Sequence, residues 1–201
     1  MQDYKQQTIH SYEKHTDFYA QKFKALLDLK RRTEFSRFLE LIPGSRILDV
    51  GCGAGDHALY FAAQGLDVSC VDISPRMVKL CKQKGLKAQV MDIEDLRFED
   101  NSFDGIWAVT SLLHIPKAKM PSVVQKLYDI IKEKGMLYVS VREGDGEKLV
   151  SDKQDPATKR FFAFWRPSEL LKLFEDKFDV IQWKRTKVNT HVFLEVFFRK
   201  K

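Results

Sequence analysis

Two carboxylates, each at the end of an apolar run, are the residues of this sequence best placed to do chemistry. Asp49 follows Ile47-Leu48 and leads into a glycine-rich segment, Gly51–Gly55, and Asp72 ends the next apolar run along the chain. In an open α/β sheet the carboxyl ends of the parallel strands meet at one edge, where adenosine-containing cofactors bind. We therefore expect both carboxylates to face such a cofactor.

The spacing of the glycines and the charge of Asp49 indicate which cofactor this is. The dinucleotide fingerprint needs a small residue three places after Gly53, where this chain has Asp56. A carboxylate about 5 Å from a phosphate charge costs roughly 3 kcal/mol at an effective dielectric near 20, so Asp49 disfavours a pyrophosphate. A cofactor with an ammonium and no phosphate would instead be attracted, and S-adenosylmethionine is such a molecule. Asp72 would accept hydrogen bonds from its ribose hydroxyls, unless both carboxylates only cap helices.

Further motifs follow the glycine turn in a fixed order. In chain order the motifs are Asp49–Gly55, Asp72-Ile73-Ser74, Asp92-Ile93, Phe103–Ala108 and Gly135–Val141. Together they resemble the class I S-adenosylmethionine-dependent methyltransferases, over nearly the whole chain from about Tyr12. Ser111–Pro116 and Val141–Glu147 are similar to segments of the small bacterial stand-alone enzymes of the methyltransferase-domain-25 or tellurite-resistance-like type.

The resemblance implies a set of donor-binding residues. Asp92 would accept a hydrogen bond from the adenine amino group, with the Ile93 N–H pointing at the ring; the alternative for Asp92 is an Asx turn. Ile73 and Met77 would form an apolar wall for the adenosine, or serve ordinary helix packing. The full set expected to contact the donor is Tyr19, Asp49, Gly51, Cys52, Gly53, Asp72, Ile73, Met77, Asp92, Ile93 and Ala108.

The N-terminal segment is predicted to be helical and to close the site. Apolar residues such as Phe23, Leu26 and Leu27 recur there at three- and four-residue spacing, and Tyr12 and Tyr19 share one helical face. In similar enzymes such a helix covers the cofactor, and a tyrosine face attracts its sulfonium. We expect residues 1–41 to form a helical lid on a catalytic core of residues 46–201, within one domain. The alternative is a partly buried amphipathic helix.

One histidine and one aromatic segment lie where an acceptor would bind. His114 follows the fourth predicted strand, where an imidazole accepts a proton near neutral pH, caps a helix or shapes the pocket. Arg142 and Glu143 end the fifth strand, and Arg160–Trp165 is rich in aromatic residues. We expect these positions to select the substrate, although the aromatic segment would also serve to plug the edge of the sheet.

Strands and helices alternate along most of the chain, which predicts a parallel sheet covered on both faces. The last two predicted strands are separated by a short turn at Asn189 and must be antiparallel. We predict a Rossmann-like three-layer α/β sandwich with a seven-stranded, mostly parallel sheet and a C-terminal antiparallel hairpin. The predicted strands are Ile47–Val50, Val68–Val71, Ala88–Met91, Phe103–Val109, a strand from Gly135, Phe178–Arg185 and His191–Phe198, and a helix is predicted from after Pro116 to about Glu133.

Composition limits the classes of protein that fit. The chain has 201 residues, of which 44% are hydrophobic, and this suits one domain with a substantial core. We see neither a membrane span nor a secretory signal in the sequence. Cys52, Cys70 and Cys81 form no C-x-x-C pair, so neither zinc, any other metal nor a disulfide is expected, and a reducing cytoplasm is the expected location.

The net charge of +6 invites a nucleic-acid partner, but the basic residues are scattered over predicted helix faces. We therefore predict methyl transfer from S-adenosylmethionine to a small molecule by in-line displacement. The alternatives are a nucleic-acid (RNA) methyltransferase and a non-catalytic S-adenosylmethionine-binding protein, and a dinucleotide oxidoreductase is disfavoured. The methyl acceptor and the oligomeric state stay open.

Overall fold

The computed structural model describes the backbone of residues 3–30, 32–152 and 155–201. It describes the side chains of the same residues except 3, 25–30 and 32. Leu26 and Leu27, which are part of the predicted helical pattern, therefore lie outside the described side chains.

Over the described residues, nine strands form two sheets. The strands are β1 (Arg46–Val50), β2 (Asp67–Asp72), β3 (Lys87–Val90), β4 (Phe103–Val109), β5 (Ile131–Arg142), β6 (Glu147–Ser151), β7 (Lys159–Ala163), β8 (Phe178–Val188) and β9 (His191–Lys200). The large sheet has the order β3-β2-β1-β4-β5-β9-β8, and β6 pairs with β7 in a second sheet. The first five strands of the large sheet are parallel, and β9 is antiparallel to both β5 and β8. This confirms the predicted seven-stranded sheet and its terminal hairpin.

Helices cover both faces of this sheet. They are α1 (Asp3–Lys14), α2 (Thr16–Lys30), α3 (Arg32–Leu41), α4 (Asp56–Ala63), α5 (Pro75–Gln83), α6 (Met120–Ile130) and α7 (Pro167–Phe174). One apolar cluster packs α6 and α7 on one face, and a second packs α3, α4 and α5 on the other. Within the described ranges, every helix is too short or too polar to span a lipid bilayer.

The predicted end of the helix after Pro116 is wrong. Two short 3-10 turns precede α6, which starts at Met120 and ends at Ile130. Ile131 already has extended backbone and pairs with the buried Phe103 at the start of β4. Burial of Ile131 in the core therefore ends the helix three residues before the predicted Glu133.

Two further features of the chain differ from the predictions. Tyr12 and Tyr19 belong to separate helices, because α1 ends at Lys14 and a turn at His15 precedes α2. The two rings still lie 4.9 Å apart, and backbone hydrogen bonds from His15 to Ser11 and from Tyr19 to His15 connect the two helices. The aromatic segment Arg160–Trp165 was predicted to connect the fifth strand to the next helix, but its first four residues belong to the strand β7. The partner strand β6 was not predicted.

Candidate functional site

The turn after β1 is tied to the end of the neighbouring strand. The N–H groups of Gly51 and Cys52 donate to the Val71 carbonyl at 2.8 and 3.0 Å. The Gly53 N–H donates to Oδ2 of Asp72 at 2.9 Å. Because β1 and β2 are in parallel register up to Val50 and Val71, both predicted carboxylate sites arise at one edge of the sheet.

The glycines of this turn have different roles. Gly51, Gly53 and Gly55 all have positive φ, which L side chains rarely adopt. A Cβ on Gly51 would lie 2.3 Å from Cβ of Ser111, so Gly51 is required by close packing. A Cβ on Gly53 would meet, among the described side chains, only Phe23, at 4.0 Å. The Gly53 backbone therefore faces space into which a ligand can approach.

Asp49 lies at the centre of this edge and is 2% exposed. Its Oδ2 atom has no hydrogen-bond partner within the part of the chain that the structure describes. Burial raises the pKa of Asp49 well above its usual value, and the nearby negative charges of Cys81 and Asp72 act in the same direction. An unpartnered buried carboxylate oxygen is costly, and a cationic ligand group would stabilise it.

Asp72 keeps room for further hydrogen bonds. Oδ2 accepts from the Gly53 N–H, and Oδ1 accepts from the Ser74 N–H at 2.9 Å. Each carboxylate oxygen has two acceptor positions, so one position on each stays available for a ligand hydroxyl. Burial raises the pKa of Asp72 to about 6, although the two backbone donors oppose that shift.

Asp92 follows β3 and has a double role in the structure. Its Oδ1 accepts from the Glu94 N–H at 3.0 Å and thereby caps the 3-10 turn Ile93–Asp95, as the Asx-turn alternative predicts. Its Oδ2 forms an ion pair with Lys5 of α1 at 2.5 Å. The carboxylate expected to meet adenine is therefore contacted by the N-terminal helix.

Of the two residues expected to form an apolar wall, Met77 packs against α2. Met77 is buried and packs with Tyr19 and Ala54 in a small cluster. Ile73 is half-buried between Asp72 and the start of α5. Met77 thus joins the glycine turn to the tyrosine of the N-terminal segment.

Cys52 and Ala108 have packing roles in the structure. The Cys52 Sγ lies 3.6 Å from Sγ of Cys81 and 3.6 Å from the Gly53 carbonyl oxygen, so its side chain faces the protein interior. Ala108 is fully buried in the apolar cluster beneath α6 and α7. The backbone of Cys52, in contrast to its side chain, faces the carboxyl edge of the sheet.

The N-terminal helices dock on the β6–β7 hairpin. Thr8 Oγ1 accepts from the Phe161 N–H at 2.9 Å. Ser11 Oγ donates to Oδ2 of Asp152 at 3.0 Å, and the Tyr19 hydroxyl donates to the same atom. Asp152 had no signal in the sequence, because its partners lie more than a hundred residues away along the chain.

His114 belongs to a hydrogen-bonded chain beneath α1. Its Nδ1 lies 2.6 Å from the Phe161 carbonyl, which only accepts, so Nδ1 carries the proton. Nε2 then accepts from the Tyr12 hydroxyl at 2.9 Å, and Arg160 donates to that hydroxyl at 3.3 Å. Burial lowers the pKa of His114 to about 3, so the imidazole is neutral at physiological pH.

Part of the chain matches a known protein family. Residues 47–135 match the family model described as a methyltransferase domain, which covers the glycine turn, Asp72, Asp92 and His114. Over these residues the chain is similar to the methyltransferase domain family.

Several methyltransferases are similar to this chain. The ubiquinone biosynthesis O-methyltransferase of Xanthomonas campestris is 28% identical over 145 residues, which cover 64% of this chain and 60% of the relative. Phosphoethanolamine N-methyltransferase 3 of Arabidopsis thaliana is 31% identical over 144 residues, which cover 68% of this chain and 28% of the relative. The chain thus spans less than two thirds of the length of these relatives.

A solved structure extends the similarity in fold over most of the chain. The 1,6-didemethyltoxoflavin-N1-methyltransferase of Burkholderia thailandensis superposes with a TM-score of 0.71 at 20% identity. The match covers 96% of this chain and 89% of the Burkholderia chain, which was solved with 1,6-didemethyltoxoflavin and S-adenosylhomocysteine. At this identity the likeness concerns the fold, including the N-terminal helices and the C-terminal hairpin.

The open space beside Gly53 yields a first prediction. We expect Gly53→Val to abolish binding of S-adenosylhomocysteine, measured by calorimetry, because the side chain would fill the ligand's approach. Gly65→Val is the matched control, since Gly65 also has positive φ and a Cβ there meets no described atom within 4 Å. Both variants should lose a similar 1–2 kcal/mol or so of stability to backbone strain. Undiminished binding by the Gly53 variant would disprove this placement of the ligand.

Proposed function

We propose that this protein transfers a methyl group from S-adenosylmethionine to a small-molecule acceptor by in-line displacement. The observation that carries the proposal is the buried Asp49 oxygen, which has no partner among the described residues. It lies beside the turn Gly51–Gly55, which we call the glycine cradle, and near Asp72. A donor with an ammonium, a ribose and no phosphate fits this combination of groups, whereas a pyrophosphate would meet two carboxylates.

The residues at the carboxyl edge of the sheet match the chemical groups of S-adenosylmethionine. Asp49 would pair with the ammonium, Gly53 would let the ligand approach the backbone, and Asp72 would accept from the ribose hydroxyls. Asp92 would accept from the adenine amino group, with Ile93 beside the ring. Asp56, where a dinucleotide fingerprint needs a small residue, instead pairs with Lys84 at 2.7 Å.

The protein's share of the reaction is orientation and exclusion of water. When bound, the donor supplies a methyl group already activated by a positive sulfur. Tyr12 and Tyr19 bring aromatic faces over the glycine turn, and faces of this kind attract a cation. Desolvation and alignment of the acceptor then account for the acceleration without an elaborate set of catalytic residues.

His114 is the proposed proton acceptor for an acceptor molecule that arrives protonated. Burial makes its imidazole a weak base in the absence of ligand, and an anionic acceptor beside it would raise its pKa from about 3. The Nε2 atom of His114 carries the available lone pair. The methyl acceptor would take the place of the Tyr12 hydroxyl and donate its own hydrogen bond to Nε2. A small-molecule acceptor is supported by the named activities of the Xanthomonas and Burkholderia relatives. The three free cysteines suit a reducing cytoplasm as the location.

Calorimetry with S-adenosylmethionine, S-adenosylhomocysteine and NAD tests the donor. We expect the two S-adenosyl compounds to bind one per chain, and NAD to bind far more weakly because of Asp49 and Asp56. Asp72→Ala should weaken binding by roughly 1.5–3 kcal/mol, the scale of a hydrogen bond to a charged group. Tighter binding of NAD than of either S-adenosyl compound would refute the assignment.

The raised pKa of Asp72 predicts a pH dependence. Below pH 6 the carboxyl binds a proton and loses acceptor capacity, and above pH 6 it is ionised. Affinity for S-adenosylhomocysteine should therefore fall as the pH is lowered from about 7.5 to about 5.5, because the ligand favours the ionised form. Asp72→Asn should remove the part of this dependence centred near pH 6. A wild-type affinity that is flat across this range would contradict the role of Asp72.

The N-terminal segment should respond to the donor. Tyr19 is 1% exposed and Phe23 lies over the Gly53 cradle, so α1 and α2 must move for a ligand to enter. We expect hydrogen exchange of the Tyr12–Tyr19 amides to slow when S-adenosylhomocysteine is added. Amides of β8 and β9, at the far edge of the sheet, serve as the internal reference. Exchange that is unchanged in both regions would make the segment an ordinary packing element.

A further inference from the structure

Two guanidinium groups approach a single aromatic ring beside His114. Arg142 is the last residue of β5, and Arg160 lies in β7. Each guanidinium carbon lies 5.2 Å from the centre of the Phe162 ring. The ring of His114 lies 4.9 Å from the same ring, so these groups share one small region at the carboxyl edge of the sheet.

The two arginines differ in how their charges are compensated. Arg160 lies 3.5 Å from the buried carboxylate of Asp152, and its guanidinium also stacks over Tyr12 and Tyr19. Arg142 has no carboxylate within 4 Å of its guanidinium among the side chains that the structure describes. The polar side-chain contact of Arg142 is Nδ1 of His191 at 2.6 Å.

The carboxylates nearest in sequence to Arg142 are engaged elsewhere. Glu143 binds Arg185 through both oxygens, at 3.0 and 2.9 Å. Asp145 pairs with Arg166, and Glu147 accepts from the Lys117 N–H at 2.9 Å. The half-buried Arg142 therefore keeps a positive charge that these neighbours do not neutralise.

Burial lowers the pKa of Arg142, and the positive charge of Arg160 acts in the same direction. Lys148 of β6 adds another cation, with its Nζ 5.6 Å from the centre of the Phe164 ring. A half-buried cation among other cations is unfavourable on its own and favourable with an anion in place. The region thus has the electrostatic character of an anion site.

The surroundings of Arg142 are aromatic. Its guanidinium lies 5.2 Å from the centre of the Phe164 ring as well as the Phe162 ring, and the planes of these two rings are 24° apart. A guanidinium presents a planar fork that matches a carboxylate, and flat aromatic walls suit a flat aromatic body.

We propose that Arg142, together with His191 and the ring of Phe162, binds the anionic group of an aromatic carboxylate that is the methyl acceptor. That the bound carboxylate is the methyl acceptor rests on the proposed methyl transfer. The anion site itself stands on the arrangement of charges. In the proposed methyl transfer, the anion site would select acceptors that carry a carboxylate over neutral ones.

Binding of 2-naphthoate and of its uncharged counterpart 2-naphthamide tests the site. We expect the wild-type protein to prefer the acid by about tenfold or more, because one charge-assisted fork is gained. Arg142→Gln should reduce the preference to within about threefold, and Arg142→Lys should keep part of it. Arg37→Gln is the matched control, since it removes one positive charge from an arginine on the exposed face of α3 that pairs with Glu40.

Thermal unfolding of each variant distinguishes loss of the anion site from loss of the folded structure. If Arg142→Gln does not fold, the proposal is tested by the preference for the acid of the wild-type protein and of Arg142→Lys. Equal affinity of the wild-type protein for acid and amide would overturn the proposal, and so would a full preference in a folded Arg142→Gln variant.

Calorimetry with S-adenosylhomocysteine on the same samples distinguishes the two proposals. Binding of S-adenosylhomocysteine without a preference for the acid would refute the anion site and leave methyl transfer intact. A preference for the acid without binding of S-adenosylhomocysteine would refute the proposed methyl transfer and leave the anion site intact.

Discussion

The hydrogen bond from the Gly53 N–H to Asp72 is the contact on which the candidate site depends. A turn that leaves a parallel strand exposes backbone N–H groups that need acceptors. Here the Val71 carbonyl and the Asp72 carboxylate of the neighbouring strand provide those acceptors. The position of the turn is therefore set by the register of β1 against β2, and strand pairing, more than loop conformation, determines the geometry of the cradle.

The same arrangement concentrates negative charge in a poorly hydrated place. Asp49 and Asp72 both have raised pKa values, chiefly because burial disfavours the ionised form. Packing alone would favour replacement of such groups by apolar residues of similar size. Under the proposed function, their presence beside the glycine turn is explained by a methyl donor that carries a positive charge and hydroxyl donors. The stability forgone in the protein is recovered as affinity for that ligand.

Features determined by local sequence were predictable, and features determined by distant contacts were not. β4 has the predicted bounds, because seven consecutive buried residues give an unambiguous apolar run. β6 was missed because it is almost wholly exposed and has no alternating pattern. The end of α6 was misjudged since the packing of Ile131 on Phe103 decides it. The carboxylates and glycines were recognisable from their spacing, whereas Asp152 and Lys5 reach the site through contacts that no local motif signals.

The N-terminal helices and the β6–β7 hairpin form one closing element. Thr8 and Ser11 of α1 are hydrogen-bonded to Phe161 and Asp152 of the hairpin region. Tyr12 also joins Arg160 to His114, across the boundary between the donor and acceptor sides. Because these contacts are shared, displacement of α1 from the glycine turn also breaks hydrogen bonds that shape the proposed acceptor pocket. Under the proposed function, closure over the donor and completion of the acceptor pocket would therefore be one conformational event, which is the coupling that exclusion of water from methyl transfer requires.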